Sequence, residues 1–200
     1  MSQTALIVID VQVDFCPGGA LAVVGGDEII APVNNLMDQF ETVILTQDWH
    51  PAGHSSFASC HDQKAPLDLF EMPYGPQVLW PDHCIQGSPG AAFHPQLDTD
   101  RADMVIRKGF RPHIDSYSAF FENDKITPTG LDGYLKTRGI SNLVMVGLAT
   151  DFCVAYSAVD AATLGYHVRV SQPACRAIDI GGSLDAAHQT MRSAGVELEG

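Results

Sequence analysis

Three residues able to carry out nucleophilic catalysis lie at the ends of apolar, β-branched stretches of the chain. Asp10 ends one such stretch, Lys108 follows another, and Cys153 comes shortly after a third, where a helical pattern begins. A positioned carboxylate can accept a thiol proton, and a buried lysine can stabilise the charges that result. The three residue types predict a cysteine nucleophile assisted by an acid and a cation.

The segment GLATDFCV (147–154) predicts how the cysteine becomes reactive. It passes abruptly from a strand pattern to a helical one, so we expect the thiol of Cys153 to face a helix N-terminus. The partial positive charge there lowers a thiol pKa and favours the thiolate. Backbone N–H groups at such a turn can also stabilise an oxyanion.

Taken singly, each of the three residues also has a purely structural interpretation. Cys153 could be a small buried hydrophobic residue, Asp10 could cap a loop, and Lys108 could be an exposed lysine at a strand end. In open α/β sheets, however, ligands bind outside the carboxyl ends of the strands, and all three residues are predicted there. Their meeting at one edge favours the catalytic interpretation.

Asp48 and His50 of the motif DWH predict a metal site. Residues two apart in an extended segment project to the same side, so these two can share one ion. His83 in WPDHC (80–84) could complete a three-ligand site with open positions, and this donor set suits zinc, iron or manganese. Nearby residues leave the ligand set open: His54, His61, Cys60 and Cys84.

Two aromatic residues flank these candidate functional residues. Phe15 and Trp80 could hold a flat ring between them, although isolated aromatic residues are more often part of a core.

Alternating strand and helix patterns predict the elements that must position these residues. Apolar stretches predict strands at 4–10, 42–46, 104–107, 142–148 and 167–171. Amphipathic stretches predict helices at 27–40, 129–138, 152–164 and 183–193. This alternation predicts one doubly wound α/β domain over residues 1–200 with a mostly parallel sheet. Residues 49–103 interrupt it, and a loop-rich insert of that length is usually functional.

Composition and charge exclude several classes of function. Of the 200 residues, 46% are hydrophobic and 18% charged, which is typical of an ordinary soluble globular protein, and the net charge of −13 disfavours nucleic acid and anionic membranes as partners. No apolar run approaches the roughly 18 residues that span a bilayer, and the N-terminus lacks the basic region of a signal peptide, so we expect a cytoplasmic protein. The five cysteines, odd in number and without a C-x-x-C pair, predict free thiols.

Six longer motifs lie along the chain: DVQVDFCPGGALAV (10–23), TQDWHPAGHSSFAS (46–59), LWPDHCIQGSPGAAFHP (79–95), RKGF (107–110), DSYSAFF (115–121) and GLATDFCVAYSAVDA (147–161). In this order the chain resembles the nicotinamidase/pyrazinamidase family of the isochorismatase-like hydrolases over essentially its whole length. The resemblance implies a single α/β domain, a doubly wound three-layer sandwich with a central, mostly parallel six-stranded sheet. One departure is Val13, where many relatives carry asparagine, and this departure could alter local hydrogen bonding in the loop.

The resemblance also implies roles for individual residues. It implies a catalytic triad (Asp10, Lys108, Cys153), metal ligands (Asp48, His50, His83, with His54 as an optional further one), substrate-binding residues (Phe15, Leu21, Trp80, Tyr117) and an oxyanion hole formed by the backbone N–H groups of Ala149 and Cys153. A cis peptide bond between Leu148 and Ala149 is implied as well.

The implied reaction is hydrolysis of nicotinamide to nicotinate and ammonia through a cysteine thioester, as part of NAD salvage, with pyrazinamide as a further substrate. One divalent metal ion, zinc before iron or manganese, is the implied cofactor, and the oligomeric state stays open. The main alternative is another cysteine amidohydrolase, such as an N-carbamoylsarcosine-type amidase, which keeps the triad but has no use for the metal ligands. Isochorismatases generally lack the nucleophilic cysteine.

Two alternatives of other classes remain. A binding protein on the same fold would bind a ligand tightly without turnover. A structural zinc module would need a closed four-ligand site, for which Cys60 and Cys84 are the spare thiols.

Overall fold

Six parallel strands form the central sheet of the computed structural model, which describes residues 3–200. Numbered in chain order, the strands are β1 (Gln3–Ile9), β2 (Thr42–Asp48), β3 (Leu69–Met72), β4 (Gly75–Val78), β5 (Met104–Lys108), β6 (Ile140–Leu148), β7 (His167–Arg176) and β8 (Glu197–Glu199). The sheet order is β5-β2-β1-β6-β7-β8, and all its pairings are parallel. The short strands β3 and β4 form a separate antiparallel hairpin.

Four α-helices connect the strands: α1 (Ile30–Met37), α2 (Leu131–Thr137), α3 (Ala155–Thr163) and α4 (Ser183–Ser193). Crossovers between parallel strands are right-handed, so α1 lies on one face of the sheet and α2, α3 and α4 lie on the other. The predicted doubly wound, three-layer α/β fold with a six-stranded central sheet is confirmed.

The central strands are apolar because helices cover both faces of the sheet. Every residue of β1 from Ala5 to Ile9 is fully buried. A strand buried on both sides has no polar face, which is why the sequence there is a continuous apolar run and not an alternating one. At the edge of the sheet, Val105 of β5 is 45% exposed.

Several predicted boundaries need correction. Strand 167–171 continues to Arg176, because a register shift opposite β6 lets it resume pairing. The helix predicted at 27–40 is α1, preceded by a 3₁₀ turn, with Pro32 in its first turn, where proline is tolerated. The helix predicted at 152–164 begins as the π-helical turn Thr150–Val154 before α3.

Three strands were absent from the prediction because they are short and lack an apolar pattern. Strand β8 reads Glu-Leu-Glu, and the hairpin β3–β4 lies inside the stretch 49–103. The hairpin covers a small hydrophobic cluster of its own, formed by Ala58, Met72 and Leu79.

The order in which successive strands are added to the sheet reverses between β1 and β6, although the two strands are parallel. β1 leads to β2 on one side, whereas β6 leads to β7 on the other, so a crevice opens at their carboxyl ends. Gly147 lets the two strands approach closely there, because a side chain at that position would overlap the carbonyl group of Ile9. The functional residues predicted at the strand ends therefore meet at this crevice.

Two further expectations concern the chain as a whole. Within residues 3–200, no helix combines the length and apolar character needed to cross a membrane. All five cysteines are free thiols, as predicted.

Candidate active site and metal centre

Lys108 connects the acid and the thiol at the carboxyl edge of the sheet. Its Nζ lies 2.8 Å from Oδ2 of Asp10, directly after β1, and 3.4 Å from Sγ of Cys153, directly before α3. All three side chains are buried. The structure thus brings together the three residues that the sequence predicted at separate strand ends.

Lys108 is the last residue of β5 and is fully buried, so its interpretation as an exposed lysine is wrong. It also donates hydrogen bonds to Oδ1 of Asp48 (3.1 Å) and to the carbonyl of Ser116 (2.9 Å). Burial acts to lower the pKa of Lys108, but the carboxylates of Asp10 and Asp48 outweigh it and hold the pKa well above its ordinary value. The lysine therefore stays charged.

The surroundings of the Cys153 thiol favour its neutral form. Burial raises its pKa well above the ordinary value, and Asp10 and Asp48 reinforce this, although the charge of Lys108 acts in the opposite direction. The expectation of a pKa lowered by a helix N-terminus is therefore wrong, because desolvation of the thiolate outweighs the nearby positive charge. The nucleophile needs a base to remove its proton.

Asp10 has the properties of that base. Burial raises the pKa of Asp10, with Lys108 opposing the increase, which brings the carboxyl closer to the range in which it can exchange a proton. Thr46 fixes one oxygen, because its hydroxyl donates to Oδ1 at 2.6 Å. The carboxyl also contacts Lys108, whose Nζ lies 2.8 Å from Oδ2, and the thiol of Cys153, with which it shares a hydrogen bond.

Three buried side chains are placed so that they could bind one metal ion, and they are called the metal-type group: Asp48, His50 and His83. Oδ2 of Asp48 lies 2.9 Å from Nε2 of His50 and 3.3 Å from Nε2 of His83. The Nδ1 atoms are held by carbonyls at 2.8 Å, of Gly109 for His50 and of Pro81 for His83. A carbonyl can only accept, so Nδ1 carries a proton and, in a neutral imidazole, Nε2 on the side of Asp48 is the nitrogen able to bind a metal. The donor set fits a bound metal ion.

His54, the optional further ligand, lies beside this group but is engaged elsewhere. Its Nδ1 pairs with the Ser56 hydroxyl at 2.7 Å and its Nε2 with the Arg111 carbonyl at 2.8 Å. Its ring packs against His50 with the ring centroids 4.4 Å apart. His54 therefore has no ring nitrogen directed at Asp48, although together with His50 and Asp115 it forms a second, overlapping cluster.

Gly109 makes room for the metal-ligand group. Its φ is +65°, and a Cβ there would lie 2.5 Å from Cε1 of His50 and 2.9 Å from Oδ1 of Asp48. The glycine following Lys108 is therefore required both for its backbone conformation and for the space that it leaves.

A narrow pocket opens onto the thiol. This slot has a volume of about 20 Å³. All four predicted substrate residues line it, together with the thiol, two of the three metal-type ligands and four residues not predicted as substrate-binding: Phe15, Leu21, Trp80, Tyr117, Cys153, Asp48, His83, Asp115, Ala149, Phe152 and Ile178. Aromatic side chains, those of Phe15, Trp80, Tyr117 and Phe152, therefore form much of its wall.

The peptide bond between Leu148 and Ala149 is cis, as the resemblance implied. Ala149 and Cys153 both line the pocket, at the two ends of the turn that leads into α3. The Ala149 carbonyl accepts hydrogen bonds from the amides of Phe152 and Val154, each at 3.1 Å, which fixes this turn.

Sequence reasoning missed several residues that hold the site. The Gln12 side chain accepts a hydrogen bond from the backbone amide of Asp48 (2.8 Å) and donates one to the backbone carbonyl of Asp48 (2.9 Å). These two bonds fix the backbone of a metal-type ligand. Asp115 accepts from Gln77 at 2.7 Å beside the pocket. A buried glutamine within the first motif and an aspartate opening DSYSAFF were the signals that could have identified Gln12 and Asp115.

The match to known proteins decides the family. A family model described as Isochorismatase domain matches residues 4–199, and a nicotinamidase of Acinetobacter baylyi is 56% identical over 196 residues, which is 98% of this chain and 92% of the relative. The chain belongs to the nicotinamidase branch of the isochorismatase family. The resemblance stated from the motifs is confirmed.

Solved structures of this branch share its architecture. The nicotinamidase/pyrazinamidase of Acinetobacter baumanii is 54% identical, with a TM-score of 0.98 and coverage of 100% of this chain and 96% of that one. The pyrazinamidase of Pyrococcus horikoshii in complex with zinc is 34% identical, with a TM-score of 0.78 and coverage of 98% of each chain.

Proposed function

We propose that this chain is a nicotinamidase, which hydrolyses nicotinamide to nicotinate and ammonia and also accepts pyrazinamide. The observation that carries the proposal is the position of Lys108, whose ammonium contacts the acid, the thiol and a metal-type ligand at once. One buried site thus combines nucleophilic and metal-binding groups beside a slot with aromatic walls. The names of the relatives, nicotinamidase and pyrazinamidase, support the same substrate class.

The reaction begins with a proton transfer. The carboxylate of Asp10 takes the proton of Cys153, and Lys108, whose Nζ lies 3.4 Å from Sγ, stabilises the thiolate. The thiolate attacks the carboxamide carbon, and a C–S bond forms as the C=O π electrons move to oxygen. Burial raises the pKa of the Cys153 thiol, so this proton transfer is proposed as part of each turnover.

The tetrahedral oxyanion is stabilised by the backbone N–H groups of Ala149 and Cys153. As the C–N bond breaks, Asp10 returns its proton to the leaving nitrogen, which departs as ammonia. Water then attacks the thioester with Asp10 as base, which releases nicotinate and restores the thiol. Each cycle therefore consumes one water molecule and leaves the side chains unchanged.

Asp48, His50 and His83 would hold one divalent metal ion. When bound, that ion supplies a positive charge able to bind the ring nitrogen of the substrate. Zinc is the metal proposed, since two imidazoles and a carboxylate suit it and the Pyrococcus horikoshii relative was solved with zinc. Phe15 and Trp80 hold the ring faces, with Leu21 and Tyr117 completing the walls.

We propose that residues 1–200 form one α/β domain that acts on a small molecule. We place this activity in the cytoplasm, as part of NAD salvage. The high negative charge supports a small neutral substrate and not a nucleic acid.

The proposal is tested by ammonia release from nicotinamide, pyrazinamide and N-carbamoylsarcosine, before and after chelation and zinc readdition. We expect release from the two ring amides, loss on chelation and recovery with zinc. Cys153→Ala should lower kcat/KM by roughly 10³-fold or more. Release from N-carbamoylsarcosine alone, independent of metal, would favour the carbamoyl amidase instead.

A further inference from the structure

Phe152 separates the active-site slot from a second cavity. This groove lies between α3 and α4 and has a volume of about 430 Å³, compared with about 20 Å³ for the slot. Of the described residues, Phe152 alone lines both spaces. The groove is lined otherwise by residues outside the catalytic and metal-type groups, among them Lys125, Ala155, Tyr156, Val159, Asp160 and Ala187.

Aromatic contacts hold the Phe152 ring in this position. Its centroid lies 4.9 Å from that of Trp80 and 5.7 Å from that of Tyr117, both edge to face. Tyr117 in turn contacts Tyr156, a groove residue, at 5.0 Å. Edge-to-face rings pack firmly, so the separation between slot and groove is a packed wall.

The groove behind this wall is largely apolar. Ala155, Val159 and Ala187 contribute methyl groups, and the charged side chains have partners. Lys125 Nζ lies 3.1 Å from Oδ2 of Asp160, and the carboxylate of Asp151 accepts from the Ser183 hydroxyl and from two backbone amides. An alkyl group could therefore enter the groove without leaving a buried charge unpaired.

We propose that Phe152 determines which ring amides this enzyme accepts, by blocking alkyl substituents that would otherwise extend from the slot into the groove. The inference rests on the proposed nicotinamidase function. The Phe152 ring is the wall of the slot on the groove side, so removing it joins the two spaces. The substrate class that would gain access is the nicotinamides that carry a methyl or ethyl group on a ring carbon.

The test compares kcat/KM for nicotinamide with that for each ring-methylated and ring-ethylated isomer, using ammonia release. For at least one isomer, Phe152→Ala should raise the ratio of substituted to unsubstituted kcat/KM by about 10-fold or more, the discrimination that one or two methylenes provide in an apolar pocket. Val159→Ala, which enlarges only the groove, should leave the ratio as in the parent chain. Phe152→Leu should give an intermediate ratio and serves if the alanine variant does not fold.

The outcomes separate the two proposals. A parent enzyme that releases no ammonia from nicotinamide overturns the proposed function. An active parent enzyme whose Phe152→Ala and Phe152→Leu variants keep the parental ratio for every isomer overturns the role of Phe152 alone. An equal gain in Val159→Ala also overturns it, because the effect would then come from the groove and not from the wall.

Discussion

The Nζ atom of Lys108 lies 3.1 Å from Oδ1 of Asp48, so the catalytic cation touches a side chain of the metal-type group. The two residues are also register partners at the ends of β5 and β2. The other oxygen of Asp48 faces His50 and His83. Catalytic and metal-binding groups therefore form one continuous charge network.

Removing the cation from this network should destabilise the fold. Lys108→Met leaves Asp10 and Asp48 as neighbouring buried carboxylates, and loss of one partner of a buried ion pair costs about 3–5 kcal/mol. Urea unfolding should show this decrease. Lys136→Met is the matched control, since Lys136 forms an exposed pair with Asp132 and should change stability by less than about 0.5 kcal/mol.

A double variant checks the cause. Adding Asp10→Asn to Lys108→Met removes one of the two unpaired charges, so part of the lost stability should return. A double variant that is less stable than Lys108→Met would mean that the loss comes from packing and not from charge.

Asp10→Asn should separate thiol reactivity from turnover. Asp10 raises the pKa of Cys153, so its neutral replacement should lower that pKa and speed alkylation of Cys153 by iodoacetamide at pH 7. Turnover should nevertheless decrease by roughly 10²-fold or more, because the base is missing. Alkylation is followed by mass spectrometry over pH 6–10, and the rate profile should shift toward lower pH. Slower alkylation than in the parent enzyme would contradict the charge relationship.

Gly109→Ala should abolish metal binding. The added Cβ would meet His50 and Asp48, and the φ of +65° is unfavourable for alanine. Elemental analysis of the purified protein should find far less than one metal ion per chain. Gly133→Ala is the control, because a Cβ there meets no atom within 4 Å and lies in α2, where alanine is favourable.

Two histidine variants should differ in metal content. His83→Ala removes an Nε2 atom that faces Asp48, so bound metal should decrease strongly. His54→Ala should keep close to one ion per chain while lowering stability, because His54 bonds to Ser56 and to the Arg111 carbonyl instead. Equal metal loss in both variants would make His54 a ligand.

The sequence could predict the site residues that follow a local pattern, but not the properties that distant segments of the chain impose on them. Asp10, Lys108 and Cys153 were recognisable because each ends or follows an apolar stretch, and parallel strands bring such ends to one edge. The direction of the Cys153 pKa shift could not be predicted from the sequence, because it depends on how completely distant segments bury the thiol. The left-handed backbone of Asp10, with φ at +48°, is likewise fixed by its surroundings and not by its own preference.

The less regular region was harder to predict for a related reason. The hairpin β3–β4 has no apolar alternation, yet Gln77 within it reaches Asp115 and the Tyr117 hydroxyl at 2.7 and 2.8 Å. Long-range polar contacts of this kind leave no local pattern in the sequence. The sequence around Phe152 likewise does not indicate the groove beside it, because distant segments of the chain form that groove.

The pairing of Asp48 with Lys108 at the outer side of the sheet has a mechanical consequence. β5 is the last strand on that side, held to the sheet by β2 alone, whereas the nucleophile follows the inner strand β6. An ion bound by Asp48, His50 and His83 would tether the segment of His83 to the end of β2. Losing that ion should increase amide hydrogen exchange first in the loops of 49–103 and in β5, while β1 and β6 remain protected. Local unfolding would then begin at the edge of the sheet and not in its central strands.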